Sequence, residues 1–68
     1  MEKETKKILG KIRSIRKEKG ISLLNLALEV EISHSHLYYI ESKKVIPSID
    51  VVVKLSKALG IDMKELVD

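Results

Sequence analysis

Residues 20–41 read GISLLNLALEVEISHSHLYYIE, and the fold turns on how this stretch divides. Two serines, Ser22 and Ser33, stand where helices begin, because a hydroxyl at that point accepts a hydrogen bond from an otherwise unpaired backbone N–H. Behind Ser22 the apolar residues Leu26, Ala27 and Val30 recur at helical spacing, and behind Ser33 so do Leu37 and Ile40. The spacing predicts one helix over Leu23–Val30 and another opening after Ser33, with two or three residues between them. So short a turn makes the two helices meet at a steep angle. Ala27 matters most to that packing, since the second helix approaches closely only over a small side chain.

Outward from this pair, the punctuation continues. Gly20 and Gly60 fall at helix ends, and Ser48 and Asp62 at helix starts. A first helix is expected from about Lys3 to Lys19, with Ile8, Ile12 and Ile15 forming one apolar stripe and Leu9 beside it. Pro47 stops the third helix from continuing, because it lacks an N–H and biases the preceding residue away from helix. A fourth is expected from Ile49 to Leu59 on Val52, Leu55, Ala58 and Leu59. Its β-branched run Val51–Val53 lowers the local helix preference, so burial must hold it. Asp62 followed three residues later by Glu65 is a capping-box-like pair opening a short fifth helix over MKELVD. No segment alternates with period two. The reading is all-α: one five-helix domain over residues 1–68.

Composition narrows the function classes. A chain of 68 residues builds a single small domain. It carries no cysteine, which removes disulfides and thiolate metal sites. No apolar run nears the ~20 residues that span a bilayer and no leader is evident, so a cytoplasmic, membrane-independent protein is expected. The net charge is +3, and eight of the thirteen Lys and Arg residues precede Gly20, a distribution that favours polyanions through counterion release.

Both tyrosines and both histidines fall between His34 and Tyr39, and the chain has no Phe or Trp. At about 100° per residue, Leu37 and Ile40 share the inner side of the third helix. Ser35, Tyr39 and Ser42 then point outward, with Tyr38 and His34 on one flank and His36 on the other. The rings are therefore mostly outside the core. A metal site is not expected, because His34 and His36 are two apart and paired ligands on a helix come three or four apart. Catalysis is not expected either: Ser33, Ser35, His34 and His36 have no pocket across which a triad is held. No cofactor and no small-molecule effector is implied.

In order and spacing, Ile12, Arg13, Arg16, Lys19, Gly20, Ser22, Leu26, Ala27, Ser33, Leu37, Ile40, Glu41, Pro47, Leu55, Ala58, Leu59, Gly60 and Leu66 follow a known pattern. Over about residues 8 to 67 the chain resembles the phage-repressor (Cro-like, XRE) family of helix-turn-helix DNA-binding domains. The resemblance implies a sequence-specific transcriptional regulator, a repressor, that reads a palindromic operator in double-stranded DNA as a homodimer, with the third helix in the major groove. It implies base contacts from His34, Ser35 and Tyr39, with Tyr38 as an additional one, and phosphate contacts from Ser22, His36, Lys43 and Lys44. It also implies a partly buried ion pair between Arg16 and Glu41, and Ile61 and Leu66 facing inward. Because Ile61, Met63, Leu66 and Val67 exceed what one short helix buries, a dimer surface is expected at the C-terminal end, with Met63 and Val67 toward the partner, joined by Ile49 or Val53.

Three positions depart from the pattern. Leu23 stands where the family usually has Gln, and Glu31 and Lys43 stand where it usually has Gly. Each of the last two is expected at positive φ, where a side chain costs roughly 1–2 kcal/mol. The apolar set Leu23, Leu24 and Leu28 raises an alternative: a protein-interaction module on the same fold.

Overall fold

In the computed structural model, which describes residues 1–67, five helices follow one another: α1 (Lys3–Glu18), α2 (Leu23–Glu29), α3 (His34–Glu41), α4 (Ile49–Leu59) and α5 (Met63–Val67). There is no strand among the described residues. Asp68, the last residue of the MKELVD reading, lies outside them.

The serines start the helices in the way their chemistry suggests. Ser22 Oγ accepts from Asn25 N at 3.0 Å, Ser33 Oγ from His36 N at 3.0 Å, and Ser48 Oγ from Val51 N at 3.3 Å. Asp62 Oδ1 accepts from Lys64 N at 3.0 Å and fixes the entry to α5. Each such cap is worth about 1 kcal/mol.

The first four helices also end alike. A residue in the left-handed conformation donates its N–H three residues back, and the next residue donates five residues back. The pairs are Gly20 N to Lys17 O with Ile21 N to Arg16 O, and Glu31 N to Leu28 O with Ile32 N to Ala27 O. They recur as Lys43 N to Ile40 O with Lys44 N to Tyr39 O, and Gly60 N to Lys57 O with Ile61 N to Ser56 O. Glycine fills this place twice; Glu31 and Lys43 hold it at φ 61° and 65°. The turn is retained and the two side chains carry its strain. Relieving one is a direct test. Glycine removes the steric cost of roughly 1–2 kcal/mol but loses more chain entropy on folding. Glu31→Gly is therefore expected to raise stability by about 0.5–1 kcal/mol in a urea melt, with an unchanged denaturant slope.

The core draws on every helix: Leu9 and Ile12 from α1, Leu26 and Ala27 from α2, Leu37 and Ile40 from α3, Leu55 and Leu59 from α4, and Leu66 from α5. Val30, just past α2, completes it. On α1 the buried arc is wider than the expected stripe, and its centre is displaced. Ile12 is fully buried, Leu9 nearly so, and Ile8 and Ile15 are only half-buried. The cause is that α1 packs against α3, α4 and α5 at once, so no single stripe of it serves all three. Lys11 Nζ also donates to Glu65 O at 3.1 Å, tying α1 to α5.

Candidate nucleic-acid interface

The outer face of α3 follows from its inner one. Leu37 and Ile40 are fully buried, so the helix is fixed in rotation, and His34, Ser35, His36, Tyr38 and Tyr39 are exposed. α3 lies against α2 over Leu26 and Ala27, across a connection formed by Val30 to Ser33. The rings of Tyr38 and Tyr39 meet edge to face, with centroids 5.6 Å apart and planes at 67°. Ser42 does not project outward. Its Oγ donates to Tyr38 O at 2.7 Å, which turns the hydroxyl back onto the helix.

Beneath this face lies the ion pair of Arg16 and Glu41. Arg16 Nε donates to Glu41 Oε2 at 2.8 Å and Nη2 donates to Oε1 at 2.9 Å, a two-pronged contact. The third nitrogen, Nη1, donates to Ile21 O at 2.8 Å. The side chains are 11% and 5% exposed. One guanidinium thus clamps three segments: α1, the link after it, and the end of α3.

The two lysines after α3 diverge. Lys44 is exposed. The side chain of Lys43 runs back across α1, its Nζ 3.6 Å from where a Cβ on Gly10 would stand. Ser22 is exposed at the start of α2 with its hydroxyl engaged as a cap. Leu23 does not join Leu24 and Leu28 in one surface, as the alternative reading supposed. It is half-buried against the core, while Leu24 and Leu28 are 51% and 65% exposed.

A second apolar region lies between α1, α4 and α5. A groove of about 310 Å³ is lined by Ile8, Pro47, Val52, Met63 and Leu66, and rimmed by Ile46, Ile49 and Val67. The rim residues are the exposed ones, at 66%, 70% and 60%. Met63 is half-buried and packs against the core, so it forms the floor of the groove and not its rim. Val53 is half-buried outside the groove lining, and Ile61 is half-buried on the core. Ile46 escaped the sequence reading. Its signal was an apolar pair, Val45–Ile46, inside the otherwise polar link SKKVIPS.

No helix among the described residues is long and apolar enough to cross a membrane, and no group of three His, Asp or Glu side chains there is placed to hold a metal. Two helices packed on each other across a connection of a few residues, the second with one face exposed, make the arrangement of the helix-turn-helix class. A helix-turn-helix family model matches residues 12–66, most of the chain, and the chain belongs to that family, in its Cro-like, XRE form. The family is one of DNA-binding transcriptional regulators. No curated protein and no solved structure matches the chain.

Proposed function

We propose that this protein is a sequence-specific repressor that reads a palindromic operator as a homodimer, with α3 in the major groove. The observation that carries the reading is the exposed surface of α3, which holds both tyrosines and both histidines of the chain while Leu37 and Ile40 are buried. A recognition helix places its N-terminal residues and outer face against base edges. His34, Ser35 and Tyr39 are the base readers in this reading, with Tyr38 beside them. Ser22, His36, Lys43 and Lys44 position the protein on phosphates.

The test is selection of sites from a randomised DNA pool, followed by titration of variants on the selected site and on random duplex. Tyr39→Ala and Ser35→Ala are expected to lose discrimination, on the order of 1–3 kcal/mol for a good base contact. Lys44→Ala is expected to weaken all DNA alike and to flatten the salt slope by about 0.9. Intact discrimination in Tyr39→Ala would remove that ring from the readers.

A second reading has its own observation. Leu24 and Leu28, one turn apart on α2, are both more than half exposed, which suits a protein partner. A chain working only in that way would show no salt-dependent affinity for random duplex DNA.

A further inference from the structure

Outside the face of α3, cations gather along one side of α1. Arg13 and Lys17 are one helical turn apart, both exposed, and among the described residues no hydrogen bond or ion pair engages the side chain of either. Together with Arg16, Leu23, Tyr38, Glu41 and Ser42 they line a cleft of about 490 Å³ between α1, α2 and α3.

The charges in this cleft do not cancel. Glu41 is its one acid, and both its oxygens are held by Arg16. That leaves Arg13 and Lys17 as two uncompensated cations. Leu23 closes the α2 side with an apolar wall. Lys43 extends the row: its ammonium lies over Gly10, which precedes Arg13 on α1 by one turn. Lys43 has a positive φ where the chain leaves α3, and its side chain passes beside Gly10 at ordinary contact distance. By the helical rise of about 1.5 Å per residue, Gly10 to Lys17 covers roughly 10 Å. The row therefore runs as a strip of three cations and not as a point charge. Tyr38 stands between it and Tyr39, lining the cleft on one side and meeting the Tyr39 ring on the other.

We propose that Arg13 and Lys17, with Lys43 at the end of the row, form a phosphate-binding strip that holds the backbone of duplex DNA beside the groove entered by α3. The assignment rests on the DNA-binding reading above and adds two residues that the sequence pattern did not single out as contacts. Arg13 supplies a planar fork suited to two phosphate oxygens, and Lys17 a compact charge. Contacts of this kind add affinity without reading sequence.

The experiment compares two double variants with the same loss of charge. Arg13→Gln/Lys17→Gln empties the strip. Lys54→Gln/Lys57→Gln removes two exposed cations of α4 beside Glu29 and Glu31, away from it. Each is titrated with the selected operator and with random duplex over a salt series, after a thermal melt confirms folding. The strip variant is expected to flatten the slope of log K against log salt by about 1.8, at roughly 0.9 for each phosphate no longer neutralised. Each single substitution is expected to give half of that. The operator-to-random ratio should stay within about twofold of the native value, since phosphates carry no sequence. The α4 pair should leave the slope nearly native. Equal flattening by both pairs means net charge alone acts, and the strip is overturned. A native slope in the strip variant overturns it too, while leaving DNA binding by the native protein intact. A native protein that binds no duplex at any salt removes the DNA-binding reading itself, and the strip with it.

Discussion

Arg16→Ala is expected to destabilise the protein by about 3–5 kcal/mol, the cost of leaving a buried charge unpaired. For a domain of this length the whole stability is about 3–10 kcal/mol, so this variant should be largely unfolded at moderate temperature. The size follows from what Arg16 holds. Glu41 is 6% exposed and takes both its hydrogen bonds from Arg16, and Ile21 O takes a third. Among the described residues no buried side-chain polar atom lacks a partner, so nothing nearby is waiting to replace the guanidinium. Removing both charges tells a different story. In Arg16→Met/Glu41→Leu two apolar side chains of similar reach occupy the space, and only Ile21 O loses its donor. Replacement of a buried pair in this way is often neutral, so the double variant is expected to recover most of the loss. A cycle built from urea melts should then show coupling of at least about 1.5 kcal/mol, within the range found for residues that share a network. Coupling near zero would mean that the clamp contributes nothing beyond its separate contacts.

The fold was legible because its punctuation is local. Ser22, Ser33, Ser48 and Asp62 each act on a backbone N–H two or three residues away, so a short window of sequence contains the whole interaction. The same holds for the left-handed helix ends at Gly20 and Gly60. What depends on several helices at once was not legible. The buried arc of α1 is set by three neighbours, which moved its weight from Ile8 and Ile15 toward Leu9 and Ile12. Ser56, polar and on α4, is 2% exposed, because its Oγ donates to Val53 O at 2.8 Å and so needs no outside partner.

The candidate site divides in the same way. The exposed face of α3 follows from the period of Leu37 and Ile40. The strip of Arg13, Lys17 and Lys43 joins residues up to about thirty positions apart, and one of them is turned by its backbone φ. Leu23 is a similar case. Its neighbours on α2 suggest an exposed apolar surface, yet the cleft between α1 and α3 takes it inward.

Breaking the proposed dimer is expected to have the largest effect on operator binding. A single recognition helix touches only a few base pairs, few for an address among genomic competitors, which is the argument for the proposed symmetric pair on a two-fold site. The groove between α1, α4 and α5 offers the surface: Ile46, Ile49 and Val67 stand around it, each at least 60% exposed. A two-fold axis there would set each rim against its own copy, the self-complementary arrangement of a closed dimer. Half-sites about 10–10.5 base pairs apart would then present both copies of α3 to one face of the duplex. The choice of variant follows from burial. Met63 packs on the core, and a lysine there would damage the fold as well as the surface. Ile49→Lys/Val67→Lys places two charges where the native side chains face solvent in the monomer, and is expected to give folded monomers by sedimentation. Loss of the linked second half-site is expected to weaken operator binding by about 10²-fold or more, the usual gain from joining two binding modules. Preference for the half-site sequence should survive, because α3 is untouched. A native protein that stays monomeric both at high concentration and on the operator would defeat the dimer. A dimer indifferent to these two charges would move the interface elsewhere, and the exposed pair Leu24 and Leu28 on α2 would be the next surface to charge.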